Sequence, residues 1–195
     1  MSINNYRDKI LWFALRNTSG IISNSIDGYE FIEKYIQKPK KIKLINNGVK
    51  IKQPALSREE ILSQLDIPTS SFVVLKIANI TKYKDHKTLL LAWNQFLQKT
   101  SIANPRLLLA GIQGDNFHSI QELAYSVDKP ESIHFLGHVE DINSLTQACD
   151  LSVLSSAKEG VPNGILEPMA AGKAIVASKS TGNIQALGEQ YKYIF

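Results

Sequence analysis

The stretch FVVLKIANITKYKDHKTLLLAWNQFLQKTSIANPRLLLA, residues 72–110, contains two short apolar runs separated by a segment with a different period. The runs at 72–77 and 106–110 are short and strongly apolar, which is typical of buried strands. Between them, residues 86–99 carry apolar side chains three and four positions apart, as on one face of a helix. The stretch therefore predicts a strand, a helix and a second strand.

The same alternation continues as far as residue 177. We predict strands at 133–136, 151–154 and 174–177, and helices at 119–127, 142–148 and 165–171, the last one ended by Gly172. Short connections between alternating strands and helices are typical of a parallel sheet with helices on both faces. The predicted fold class is therefore α/β, with a doubly wound parallel sheet.

The first part of the chain is organised differently. Two short strands are predicted at 20–23 and 42–45, and a helix at 57–65 begins with the capping-box pair Ser57 and Glu60. We place a domain boundary near 48–56 and assign residues 1–50 and 51–195 to different domains. Because residues 191–195 resemble the start of another strand, we expect the chain to be truncated at both ends.

The composition limits the class of protein. The 195 residues are 44% hydrophobic with a net charge of +4, which is ordinary for a globular protein and does not indicate a nucleic-acid partner. The densest basic run, 38–43, is interpreted first as a solvated loop and second as a patch for an anionic membrane surface or substrate. The only cysteine, Cys149, is expected to be a buried apolar residue rather than a nucleophile. No signal peptide and no run of about 20 apolar residues is present, so we expect a cytoplasmic protein.

Polar residues follow the first predicted strand at 79–86, where an open parallel sheet binds its ligands. Lys82 and Lys84 precede a helix N-terminus, a position that favours a bound phosphate and a lysine to complete its site. Alternatively, Asp85 caps the helix and both lysines are solvated. The residues alone leave both interpretations open. The GxxG of the next loop, 111–114, indicates ordinary turn chemistry.

Two glutamates eight positions apart flank a loop of glycine, proline and asparagine. Glu159 follows a predicted strand, and Glu167 lies in the first turn of the helix predicted from Ile165. Each carboxylate alone has an ordinary structural role, as a solvated loop residue or as compensation of the helix dipole. Together with the loop, they favour a site for a polyol, because carboxylates accept hydrogen bonds from neighbouring hydroxyl groups. The four histidines lack the spacing of metal ligands, so no metal site is predicted.

These segments together resemble a known family. The segment 156–178, with Glu159-Gly160 and Glu167-Pro168-Met169-Ala170, is similar to the EX7E signature of retaining GT-B glycosyltransferases of family 4, also called glycosyl transferases group 1. Further segments match in the expected order: 45–49 resembles the hinge, 78–86 the phosphate-binding loop, 109–111 and 135–137 two strand ends, and 150–156 the strand before the signature. The resemblance covers about 20–190.

The resemblance implies a fold and a role for each matching residue. It implies the Rossmann-like C-terminal domain of a GT-B enzyme, with residues 1–50 as a remnant of the N-terminal acceptor domain. Lys84 would contact the donor diphosphate, Glu159 the transferred sugar, and Glu167 the ribose. His138 and Val139 would border the base. The remaining implied donor contacts are Asn79 in the phosphate-binding loop, and Gly160, Val161, Pro162, Asn163, Gly164, Ile165 and Leu166.

The resemblance also implies an activity. The whole protein would transfer a sugar from a UDP- or GDP-sugar, without a metal ion and with retention, to a saccharide or lipid-linked acceptor in polysaccharide biosynthesis. It allows peripheral association with the inner face of the membrane. Because most of the acceptor domain is missing, we expect residues 1–195 alone to bind nucleotide weakly and transfer little.

Two departures keep other functions open. Asn79 stands where many family members have arginine, and Gln185 stands where they often have glutamate. These losses favour a non-catalytic nucleotide-sugar-binding or scaffold module that pairs with a separate chain. The presence of Lys84, Glu159 and Glu167 argues against that interpretation. A sugar-nucleotide epimerase of similar shape is a third alternative, which the segment 159–172 matches less well.

Overall fold

The computed structural model of the protein describes residues 6–36, 41–50 and 52–195, and of residues 6–8 only the backbone. The chain forms two compact units, Met1–Asn47 and Gly48–Phe195, and each has its own parallel sheet. Residues 156–178, which resemble the EX7E signature, lie wholly in the second unit.

The first unit is a small βαβ element preceded by a helix. It contains α1 (Tyr6–Asn17), β1 (Gly20–Ser23), α2 (Ile26–Tyr35) and β2 (Lys41–Leu44), with β1 and β2 parallel. Both predicted strands are confirmed, β2 one residue earlier than predicted. The two helices were not predicted.

The basic run predicted as a loop is only partly described. Its residues Lys41–Lys43 lie in β2, so the loop interpretation is wrong for them. Residues 38–40 lie outside the described residues.

The second unit follows the predicted alternation. Its elements are α3 (Arg58–Gln64), β3 (Val73–Ile77), α4 (His86–Lys99), β4 (Arg106–Ala110), α5 (Phe117–Tyr125), β5 (Ile133–Gly137), α6 (Ile142–Ala148), β6 (Leu151–Leu154), α7 (Asn163–Ala170), β7 (Ala174–Ala177) and α8 (Thr181–Leu187). The predicted capping box of α3 is present, since Ser57 accepts from the Glu60 amide and Glu60 accepts from the Ser57 amide. Near the end of the chain, Ile194 forms a parallel bridge with Ala177, as expected for the start of a further strand.

The five strands of this unit form one parallel sheet in the order β5-β4-β3-β6-β7. The chain runs outward from β3 to β5, crosses back through α6, and then runs outward in the other direction through β6 and β7. The order therefore reverses between β3 and β6, and a crevice opens there at the carboxyl ends of the two strands. The predicted α/β fold with a doubly wound parallel sheet is confirmed.

Two apolar cores lie on opposite faces of the sheet. Val74 packs in a core with α4 and α5, whereas Val73 and Leu75 pack in a core with α3 and α6. Because side chains alternate along a strand, β3 contributes to both faces. Cys149 lies in the second core, where burial raises the pKa of its thiol to about 11, in agreement with its predicted role.

The start of α7 differs from the prediction. The helix begins at Asn163, two residues before the predicted start, and Pro162 is its N-cap. Glu167 is therefore in the second turn rather than the first, and Pro168 lies inside the helix. The predicted dipole role of Glu167 is wrong for this reason. Asn163 and Gly164 have poor helix propensity, and tertiary packing overrides it.

Within the described residues, we find no helix with both the length and the apolar character needed to cross a membrane.

Candidate functional site

The loop after β3 combines a tight turn with a helix cap. Lys82–Lys84 form one turn of 3₁₀ helix, and Asp85 follows in the left-handed region, with φ 46° and ψ 55°. The Asp85 carboxylate accepts a hydrogen bond from the Thr88 amide at 3.1 Å and so caps α4. This confirms the capping role of Asp85. The left-handed backbone turns the chain back over the end of β3.

Lys84 is not solvated, in contrast to the second interpretation of this loop. Its Nζ lies 2.6 Å from Oε1 of Glu159, and the two side chains are only 20% and 8% exposed. Lys82 is exposed, so the solvated interpretation holds for that lysine. The contact joins the loop after β3 to the loop after β6. The topology therefore brings together two residues 75 positions apart, at the point where the strand order reverses.

Helix α8 packs closely against the backbone of the loop that carries Glu159. A Cβ added to Gly182 would lie 1.5 Å from the carbonyl oxygen of Gly160 and 2.6 Å from that of Glu159. Any side chain at position 182 would therefore displace this loop. In the sequence, the glycine of the 181–185 segment was the signal for this contact. Only the packing shows why a glycine is needed there.

A second close approach positions α7. A Cβ on Gly164 would lie 2.5 Å from the carbonyl oxygen of Ile77, the last residue of β3. Glycine thus lets the N-terminal end of α7 reach the carboxyl end of β3. That end of the helix carries the positive end of its dipole and favours an anion.

Glu167 has different neighbours from Glu159. It is half-buried in α7 and lines a small cavity with Val49, Lys50 and Thr146. Burial raises the pKa of its carboxyl above the ordinary value. Glu167 thus faces α6, whereas Glu159 is the glutamate that contacts Lys84.

The remaining predicted residues lie after β3, after β5 and around the start of α7. The Asn79 side chain accepts a hydrogen bond from the Ile112 amide at 3.1 Å and so ties the loops after β3 and β4 together. His138 is exposed just after β5, whereas Val139 packs partly into the core beside α6. Just before α7, Val161 and Pro162 are buried; within its first turn, Ile165 is buried and Asn163 is exposed.

Sequence reasoning missed two titratable residues beside the site. Lys76, in the middle of β3, is fully buried, and desolvation lowers the pKa of its ammonium group to about 7. His86 at the start of α4 is 1% exposed, and burial lowers the pKa of its imidazole to about 3. The signal for Lys76 was in the sequence, as one charged residue inside the apolar run FVVLKI.

The arrangement suits a ligand that carries both phosphates and hydroxyl groups. Lys84 supplies a cation, Glu159 supplies a hydrogen-bond acceptor, and α7 directs its N-terminal end toward the same region. Among residues 6–36, 41–50 and 52–195, no three His, Cys, Asp or Glu side chains are grouped so that they could hold a metal ion.

Comparisons with known proteins show the family to which this chain belongs. The model of the family "Glycosyl transferases group 1" matches residues 57–195. The N,N'-diacetylbacillosaminyl-diphospho-undecaprenol alpha-1,3-N-acetylgalactosaminyltransferase of Campylobacter jejuni is 47% identical over 60 residues, which are 31% of this chain and 16% of that protein. The UDP-Gal:alpha-D-GlcNAc-diphosphoundecaprenol alpha-1,3-galactosyltransferase of Escherichia coli is 25% identical over 177 residues, 88% of this chain and 45% of that protein.

A solved structure agrees. The crystal structure of Anabaena HepE in complex with UDP and glucose has a TM-score of 0.77 and 26% identity, and the match covers 95% of this chain and 51% of that one. The chain spans less than half the length of each of these two curated relatives. Since the family model covers most of the chain, the protein belongs to the glycosyl transferases group 1 family and has the fold of GT-B glycosyltransferases.

Proposed function

We propose that residues 51–195 form the donor-binding domain of a retaining GT-B glycosyltransferase of family 4, and that residues 1–50 are a remnant of its acceptor domain. The observation that carries this proposal is the contact between Lys84 and Glu159 at the reversal of the strand order. It places a cation and a carboxylate where open α/β sheets bind ligands.

The donor is a UDP-sugar, with a GDP-sugar as the other candidate. Two findings on similar proteins support UDP: Anabaena HepE was crystallised with UDP and glucose, and the E. coli relative is named as a UDP-Gal-dependent enzyme. The Lys84 ammonium binds the diphosphate and stabilises the charge that develops when the bond from the sugar C1 to the diphosphate breaks. Amide groups in 160–166 contribute to the same end of the donor.

The carboxylates hold the rest of the donor. Glu159 accepts hydrogen bonds from hydroxyl groups of the transferred sugar, next to the diphosphate on Lys84. Glu167 binds the ribose, and His138 and Val139 border the base. Asn79 shapes the phosphate loop through its hydrogen bond with Ile112. The lysine and the helix N-termini take the place of a metal ion, so donor binding is unaffected by EDTA.

The acceptor is a saccharide or a lipid-linked saccharide in polysaccharide biosynthesis. The names of the C. jejuni and E. coli relatives both specify a substrate linked to diphospho-undecaprenol, which supports the second choice. Such an acceptor lies at a membrane surface, so we place the reaction at the inner face of the membrane, with the protein in the cytoplasm. The hydroxyl oxygen of the acceptor bonds to C1 on the face that the diphosphate leaves, the bond from C1 to the diphosphate oxygen breaks, and the hydroxyl proton passes to an oxygen of the departing diphosphate.

Calorimetric titration of residues 1–195 with UDP, GDP and ADP in EDTA tests this function. We expect weak binding of UDP, weaker binding of ADP, and a loss of affinity in Lys84→Met. No binding of any nucleotide would support the scaffold module instead. In a turnover assay we expect little transfer, because the match to HepE covers only half of that chain; full activity of residues 1–195 would contradict the assignment of the acceptor site to another domain.

A further inference from the structure

Lys76 occupies a position where a charged residue is costly. It is 0% exposed and lies on the face of β3 that Val74 shares, next to the turn that leads into α4. Burying an ammonium group is unfavourable unless its environment or its function compensates for the lost hydration. The backbone amides at the start of α4 add partial positive charge nearby.

The contacts of Lys76 are all with the loops of the proposed donor site. Its Nζ donates to the Lys84 carbonyl oxygen at 2.5 Å and to the Ser155 hydroxyl at 2.6 Å. The Ser155 hydroxyl in turn donates to the carbonyl oxygen of Asp85 at 2.7 Å. Lys76 and Ser155 thus hold two consecutive carbonyls of the turn from which the Lys84 side chain reaches Glu159.

No carboxylate is among these hydrogen-bond partners of Lys76. Desolvation is the largest cause of its lowered pKa; Asp85 opposes it, Lys84 adds to it, and Glu159 opposes it. The other titratable neighbour, His86, is neutral near pH 7 because burial lowers its pKa to about 3. An anion bound near Lys84 would therefore add to the counter-charge that Asp85 and Glu159 provide for Lys76.

We infer that Lys76 is a positioning residue of the donor site: it fixes the backbone of Lys84 and Asp85 so that the Lys84 side chain faces the diphosphate, and its own charge is completed by that diphosphate. This inference rests on the proposed function. It does not require contact between Lys76 and the donor, since Lys76 acts through Lys84 and Ser155.

The charge of Lys76 makes nucleotide affinity depend on pH with a definite sign. In the free protein, Lys76 loses its proton as the pH rises through about 7. A bound diphosphate raises its pKa, so binding above pH 7 requires proton uptake, and affinity falls as the pH rises. Lys76→Met lacks the titrating ammonium group. Because the phosphate of the nucleotide titrates equally in both measurements, the ratio of wild-type to Lys76→Met affinity isolates the contribution of Lys76.

The experiment compares the wild type with Lys76→Met and with Lys99→Met, which removes an exposed lysine from the last turn of α4. Titrations with UDP and with uridine are run at pH 6.0 and 8.5, and hydrogen exchange is followed at the amides of 82–88. We expect Lys76→Met to bind UDP about tenfold or more weakly at pH 6.0, to bind uridine as the wild type does, and to exchange faster at 82–88. The ratio of wild-type to variant affinity should decrease at pH 8.5, and Lys99→Met should match the wild type.

Unfolding in denaturant checks that Lys76→Met is folded. If Lys76→Met does not fold, Ser155→Ala provides a second variant, because it keeps Lys76 and removes the hydrogen bond from Ser155 to Asp85. We expect Ser155→Ala to weaken UDP binding severalfold. If the wild type binds UDP and Lys76→Met binds it equally well at both pH values, the role of Lys76 is refuted and the proposed function stands. If the wild type binds no nucleotide, the proposed function is refuted and the donor role of Lys76 with it.

Discussion

The contact between Lys84 and Glu159 predicts opposite effects of two substitutions on UDP binding. UDP carries the diphosphate but no sugar, so it requires Lys84 and does not require Glu159. In the free protein, the Glu159 carboxylate is hydrogen-bonded to the Lys84 ammonium group and so competes with the diphosphate for it. Lys84→Met should therefore weaken UDP binding, whereas Glu159→Gln should strengthen it by removing the competing partner.

The geometry gives the magnitudes. The Nζ–Oε1 distance is 2.6 Å and the side chains are 20% and 8% exposed, so the contact is a charge-assisted hydrogen bond with little solvent screening. Hydrogen bonds to charged groups contribute about 1.5–3 kcal/mol net. Loss of the equivalent bond to the diphosphate in Lys84→Met corresponds to about 10- to 100-fold weaker UDP binding. Release of Lys84 in Glu159→Gln recovers part of the same energy, which corresponds to about three- to tenfold tighter binding.

A double-mutant cycle measured by calorimetry in EDTA is the assay. Once Lys84 is absent, Glu159→Gln should no longer change the affinity, so the two effects should be strongly non-additive. Denaturant unfolding of all four proteins controls for loss of fold. Additive effects would refute the competition between Glu159 and the diphosphate for Lys84. A Glu159→Gln variant that binds UDP as weakly as Lys84→Met would refute it too.

Three further substitutions test the framework of the site. Gly182→Ala should displace the loop at Gly160 and abolish most UDP-sugar binding while leaving a folded protein, as seen by circular dichroism; normal binding would show that the loop tolerates the 1.5 Å conflict. Asp85→Ala should lower the free energy of unfolding by about 1–3 kcal/mol, since it removes the cap on Thr88 and places alanine at positive φ, whereas Asp85→Asn should cost much less. Burial raises the pKa of the Glu167 carboxyl in the folded state, so its contribution to stability is full below its unfolded pKa and declines as the pH rises through its folded pKa; Glu167→Gln should remove the decline of the unfolding free energy that begins near the unfolded value of 4.5, and an unchanged slope would contradict the burial of this carboxyl.

The sheet was predictable because its strands are short apolar runs whose positions do not depend on distant contacts. The strands from β3 to β7 were predicted within one residue, and the short connections implied that they are parallel. The helix α1 escaped prediction because it leaves Ile10, Leu11 and Phe13 exposed, so its apolar residues show no one-sided period.

The contents of the site were only partly predictable. The EX7E segment pointed to Glu159 and the phosphate loop to Lys84, but their contact depends on the topology that places β3 beside β6. The start of α7 was wrong because the sequence cannot reveal that Gly164 packs against Ile77. The role of Lys76 depends on partners eight and 79 positions away, which no local pattern connects.

The central claim is that the nucleotide diphosphate binds to Lys84 at the crevice between β3 and β6. A crystal structure of the protein with UDP at saturating concentration tests it most directly. The claim predicts diphosphate oxygens about 2.7–2.9 Å from the Lys84 Nζ, with Glu159 displaced from its contact with that lysine. A diphosphate bound elsewhere, or an unbroken contact between Lys84 and Glu159 in the complex, would contradict it.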